Sequence, residues 1–145
     1  MQLGNELSGE VAINATAGAA GTTDIEGAVC DMQNYEGVLM VVTMGAIVGN
    51  AVTSIKAQQD SAVGMGTAAD LAGTKQVVAD SDDEEVFIID VHRPILRYVR
   101  LYVDRATQNA TCTAMYFKYG GRKRPDTQGA GVNLEIHVSP IEGTA

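Results

Sequence analysis

Tryptophan is absent from this sequence, proline occurs three times, and cysteine and histidine occur twice each. Each scarcity excludes something. Sugar-binding sandwiches stack their ligand on aromatic rings, and a chain with no tryptophan and 5% aromatic residues offers little platform for that. Cys30 and Cys112 are far apart and form no C-x-x-C pair, so they do not make a zinc site. Both sit in apolar runs and read as buried free thiols, with a disulfide between them as the alternative. His92 and His137 are too few for a histidine-based metal set, and no motif sets a serine or cysteine nucleophile beside either. Asp90 and His92 are not expected to meet. The chain therefore reads as a non-enzyme, with no catalytic residue, metal or cofactor site. No apolar run approaches the ~20 residues that cross a bilayer as a helix. Residues 1–10 lack the basic and apolar regions of a secretion signal. A soluble, cytosol-made product is expected.

Positive charge is also scarce, and it is unevenly placed. Eighteen acidic residues against ten basic ones leave a net charge of −8, which argues against a nucleic-acid binder. Only Lys56 and Lys75 precede Arg93; the other eight cations are Arg93, Arg97, Arg100, Arg105, Lys118, Arg122, Lys123 and Arg124. An acidic first half and a basic last third suit a contact with a partner or with another copy. The run Arg122-Lys123-Arg124 has too few cations to bind nucleic acid by counterion release, and it fits an acidic protein surface better. The run DSDDEE at 80–85 lacks the spacing and glycine of a calcium loop. It reads as a solvated turn that discourages pairing at a sheet edge. Gly64-Met65-Gly66 and Gly129-Ala130-Gly131 lack the strand–turn–helix setting of a phosphate loop.

What the chain has in quantity is β-branched and small residues in short runs. The segment 86–117 holds three dense strand signals, at 86–91, 97–104 and 111–119. Within 97–104, Val99, Leu101 and Val103 alternate with Tyr98, Arg100, Tyr102 and Asp104, one aliphatic row against one amphipathic row. Both rows of 86–91 are apolar, so that strand is expected to be central and covered on both faces. Pro94 takes the chain out of the sheet. The loop 105–110 is expected to join its flanking strands as an antiparallel hairpin. Upstream, 37–46 reads as a buried strand. Gly49-Asn50 reads as a hairpin turn, and 51–58 as a strand with one polar face. Shorter strands are expected at 10–15, 25–32 and 76–79, one helical turn at 68–71, and a half-buried final strand at 132–138. The resulting expectation is an all-β fold. It is an antiparallel β-sandwich or partly closed barrel of about eight short strands. Residues 1–24 form a flexible N-terminal arm and 25–145 the sandwich domain.

The pattern IDVHRP at 89–94, RYVR at 97–100, DRAT at 104–107 and YGGRKRP at 119–125 has a familiar look. So have VSPIEGTA at 138–145 and DMQNYEGVLMVV at 31–42. Together they resemble the capsid decoration (head-stabilising, or cement) proteins of tailed bacteriophages and prophages, over roughly 29–145. The resemblance implies a non-enzymatic β-rich module on the outside of an expanded head. Its partner would be the major capsid protein, and it would act as a homotrimer at local three-fold positions, with no nucleic acid or membrane contact. A neck, tail or fibre-attached virion module and a carbohydrate-binding sandwich are the alternatives. By charge and exposure, the residues expected to touch a partner are Val11, Ile13, Arg93, Arg97, Arg122, Lys123 and Arg124.

Overall fold

The computed structural model describes residues 2–124, 126–138 and 142. Two antiparallel sheets face each other, and among the described residues there is no α-helix, only a 3-10 turn at Leu3–Asn5. The first sheet orders β1 (Leu7–Ile13), β10 (Ala110–Tyr119), β4 (Gly37–Ile47) and β8 (Val86–His92). The second sheet is built on β9 (Tyr98–Ala106) and β5 (Val52–Asp60). Short pieces flank that pair: β2 (Ile25–Glu26) and β3 (Cys30–Asp31) beside β9, β6 (Ala69–Asp70) and β7 (Gln76–Val78) beside β5.

The core lies between the sheets and follows the alternation of the strands. Val99, Leu101 and Val103 point inward with no exposed surface, as the aliphatic row of 97–104 requires. They meet Val38, Met40 and Val42 of β4 and Ala114 and Tyr116 of β10. Each such side chain contributes about 1.5–3 kcal/mol when taken fully out of water. Tyr116 does more than fill space. Its hydroxyl accepts a hydrogen bond from the Leu101 backbone N–H at 2.7 Å, so a side chain of one sheet completes the ladder of the other. Leu101 needs this because β2 and β3 leave a gap beside β9, and Gly27 takes only the Leu101 carbonyl. A side chain at Gly27 would strike the Tyr116 hydroxyl at 2.8 Å and the Leu101 carbonyl oxygen at 2.9 Å.

Several expectations change. Residues 2–24 do not form an arm: β1 pairs with β10 along Leu7–Ile13 and buries Ala12 and Ile13. β9 and β10 are not a hairpin, because β9 belongs to the second sheet and β10 to the first. β4 and β5 are likewise split between sheets across the turn at Asn50, which has φ 67°. Short connections of this kind serve equally for hairpins and for crossings between sheets. Here Arg105 decides the matter: its buried guanidinium donates to the carbonyls of Ala19 and Ala110, and its Nε to that of Thr23. The loop beside β10 and the corner of the sandwich are thereby tied together. β8 is not central. Among the described residues it pairs only with β4, and it leaves Val86 and Ile88 exposed. The expected helical turn at 68–71 is the short strand β6 instead. The 25–32 run is broken into β2 and β3. Residues 132–138 enter no ladder, and Leu134 and Ile136 instead pack where a Gly4 side chain would stand. Of the polar tail at 139–145, all but Glu142 lies outside the described residues. Cys30 and Cys112 are both buried and unpaired, and burial pushes the Cys30 thiol up to about 12.

Replacing Tyr116 by phenylalanine keeps the ring and strands the Leu101 N–H. The expected loss of unfolding free energy is about 1–3 kcal/mol, read by urea denaturation. An unchanged midpoint would mean that the inter-sheet hydrogen bond contributes nothing.

Candidate interaction surface

The side chains that alternate with the core row define the outer face of the first sheet. Registers align Val11 with Met115, Met115 with Val41, and Val41 with Ile88, so an apolar row crosses all four strands. The next row holds Phe117 and Leu39, flanked by Gly9 and Asp90. On the other side lie Thr113, Thr43 and Val86. Val11, Val86 and Ile88 are 37, 55 and 51% exposed, and no charged residue interrupts the apolar row. A contiguous apolar patch of this kind marks an interaction site more often than isolated exposed residues do.

The β1 side of this face is closed by the chain itself. Gly9 donates its N–H to Gln128 Oε1 at 2.8 Å, and Gln128 Nε2 donates to the Leu7 carbonyl at 2.7 Å. Gly129 N–H donates to the Gly9 carbonyl at 2.8 Å. The Gln128 amide thus stands in for a neighbouring strand. A Cβ at position 9 would stand 3.2 Å from Gln128 Oε1 and 3.5 Å from Val132, so the absence of a side chain there lets the cover lie close.

The cations expected at the surface gather at one end of the sandwich and differ in what they already hold. Arg97 makes a two-pronged pair with Asp31, at 2.8 Å from Nε and 2.7 Å from the terminal nitrogen. Arg124 pairs with Glu6. Arg93, Arg122 and Lys123 are exposed and have no carboxylate partner among the described residues. Arg93 and Arg122 line a groove of about 550 Å³ with Tyr35, Glu36, Leu96 and Arg97. Lys123 sits in a smaller recess beside Tyr35 and Asp126. Arg93 has φ 51°, a left-handed conformation that costs a long side chain about 1 kcal/mol or more. It marks the point where the chain leaves β8. Val11 belongs to the apolar face. Ile13, 2% exposed, faces the core and is no contact residue: a register shift between Val11 and Ile13 turns it inward.

The opposite end of β8 is acidic. Asp80 and Asp83 accept backbone N–H groups of Asn50 and Ile47, and Asp82 accepts that of Ala79. The run braces the β4–β5 connection. Among the described residues no three histidine, cysteine or acidic side chains converge as a metal set. Asp90 and His92 do come together, because residues two apart share a strand face. Tyr119 donates its hydroxyl to Asp90 at 2.7 Å and stacks on His92 at 6.2 Å between ring centroids. Burial and the Asp90 carboxylate push the Tyr119 phenol up to about 12. The sequence patterning missed the apolar row and the Gln128 cover. Register alone reveals the first, and an isolated glutamine in a loop gives no signal of the second.

Three carboxyls are held below their ordinary range. Arg97 does this for Asp31, the N–H groups of Ala62 and Thr67 for Asp60, and Gln58 with Lys56 for Asp70. A depressed folded value favours the folded chain above the unfolded value and loses that advantage as pH falls through the folded one. The melting temperature should therefore hold from pH 7 to about 5 and drop below about 4. Asp60→Asn should lower it at neutral pH and flatten the acid limb. A parallel acid limb in the variant would remove Asp60 from the account.

No protein-family model and no curated protein sequence matches the chain. Among solved structures it is similar to the crystal structure of the SPBc2 prophage-derived protein YomS, at 13% identity and a TM-score of 0.44. The match covers 77% of this chain and 93% of that one.

Proposed function

We propose that this chain is a bacteriophage virion structural protein that decorates the outside of the expanded head. There it would act as a homo-oligomer that strengthens contacts between subunits of the major capsid protein. The reading is supported by the sequence resemblance over 29–145 and by the sandwich, whose strands β4, β8 and β9 carry most of the motif residues within 31–42 and 89–107. The observation that carries most weight is the outer face of the first sheet. There an apolar row runs from Val11 to Ile88, and past the His92 end of β8 a groove holds two cations, Arg93 and Arg122, with no carboxylate partner among the described residues. Such a surface suits adhesion: an apolar centre supplies area and a charged rim supplies orientation.

The physical advantage lies in the assembled shell. A head filled with DNA is pushed outward and fails first at the joints between capsomers. A rigid module that binds across a joint is present only when the joint exists, so it stabilises the expanded shell by mass action. Several copies around one position multiply weak contacts into lasting attachment.

Purified protein mixed with heads should bind expanded shells and leave compact proheads bare, with density on the outer surface in cryo-electron microscopy. Replacing Arg93, Arg122 and Lys123 together by glutamate should reduce occupancy by on the order of tenfold or more. Density confined to the portal vertex or tail, or no binding to any expanded shell, would overturn the reading.

A further inference from the structure

We infer that β8 is a joint between two copies of this chain, paired edge to edge and antiparallel about a two-fold axis at Ile88. This goes beyond capsid attachment and does not depend on it.

A strand at the rim of a sheet presents unpaired N–H and C=O groups, and proteins blunt or cover such rims. Among the described residues this sandwich covers or blunts three of its four rims. The segment from Asp126 to Gly129 covers β1, with Asp126 N–H on the Asn5 carbonyl and Gly129 N–H on that of Gly9. Strands of two or three residues blunt both sides of the second sheet. The fourth rim is β8, seven residues long and in unbroken register with β4. Its inward bonds belong to the odd positions: Met44 N–H reaches the Glu85 carbonyl, and Arg93 N–H that of Glu36. The backbone groups of Val86, Ile88, Asp90 and His92 therefore face outward. Among the described residues no lysine, proline or bulge guards them. Among the described residues one side chain hydrogen-bonds to this rim: Gln76 Nε2 donates to the Ile88 carbonyl at 3.0 Å. An N–H from a second copy replaces that bond at little cost.

Charge selects the occupant. β8 starts just after Glu84 (φ 63°) and ends just before Arg93 (φ 51°), two left-handed non-glycine residues of opposite sign. Asp82, Asp83 and Glu85 join the first end, and Arg122 joins the second. An antiparallel copy sets each acidic end against the other copy's basic end, so the edge is complementary to itself. With Ile88 on the axis, Val86 faces the second copy's Asp90, about six backbone hydrogen bonds form, and Asp83 comes opposite the second copy's Arg93. The apolar row then runs unbroken from one copy into the next. Shifting the axis to Asp90 would oppose two carboxylates and is disfavoured. A self-complementary contact of this type closes at two copies, not at the three that the sequence resemblance implies.

The test is sedimentation velocity of the full chain over a range of protein and salt concentration. The expected species is a dimer, about twice 15.2 kDa, that weakens as salt rises. Ile88→Pro removes an outward N–H and no bond to β4, so it should yield folded monomer, checked by far-ultraviolet circular dichroism. Should that variant fail to fold, charge reversal decides. Arg93→Glu should weaken association by on the order of tenfold, and adding Glu84→Arg, next to the facing Asp83 but without its bond to Ile47, should restore it. A monomer at every concentration, a trimer, or a dimer indifferent to the charge reversal would overturn the proposal.

Discussion

The backbone groups at the rim of each sheet must find partners, and that requirement shapes this molecule more than any single side chain. Four long strands stacked on two would leave rows of N–H and C=O groups open to any extended chain nearby. The second sheet answers with strands too short to template anything. The first sheet answers on one side by folding residues 126–129 back along β1, with Gln128 supplying both an acceptor and a donor. A glutamine amide has the same pair of groups as a peptide unit, so one side chain substitutes for one residue of a missing strand. The cover lies close over Gly9, and Ser8 adds a further tie by donating its hydroxyl to the Thr127 carbonyl at 2.7 Å.

The same requirement operates inside the sandwich, where water cannot help. β2 and β3 sit beside β9 with a gap between them, and that gap exposes the Leu101 amide to the core. An apolar residue at position 116 would leave that N–H unpaired, at a cost comparable to a sizeable part of a small domain's stability. Tyrosine reaches it because β10 lies directly across. Arg105 is the equivalent at the corner, where three carbonyls of diverging chain segments converge on one buried guanidinium. Its planar fork can serve several acceptors at once, which a lysine ammonium at the same place would do with poorer geometry.

This explains which parts of the fold were legible in the sequence. Alternation located the strands and correctly turned Val99, Leu101 and Val103 inward, because side-chain direction in a strand is local. Sheet membership was not legible. A connection of a few residues closes a hairpin or steps to the opposite sheet with the same composition, and the difference lies in long-range partners such as Arg105. The position of β8 was misread for a more informative reason. Val86, Phe87, Ile88 and Ile89 look alike in sequence, and continuous hydrophobicity normally means cover on both faces. In the structure only Phe87, Ile89 and Val91 turn inward, while Val86 and Ile88 stand in water. Ile13 was misplaced in the opposite sense, because a bulge next to it reverses the facing that simple alternation assigns.

A strand that reads as covered yet stands uncovered has the composition of an interface, since burial in a core and burial against another chain make the same demand on side chains. What separates the two is how the surrounding charge is arranged. A net charge of −8 spread evenly would keep copies apart at every approach. Here the acid is concentrated at one end of β8 and the base at the other, so repulsion survives for most orientations and vanishes for the antiparallel one. The acidic run at 80–85 therefore does two things that looked opposed in the sequence: it discourages indiscriminate pairing at the edge, and it leaves one orientation open. Charge spread along the strand itself would have closed that orientation too. Keeping the seven residues from Val86 to His92 nearly uncharged, with Asp90 held by Tyr119, leaves the rim usable by a partner of matching polarity.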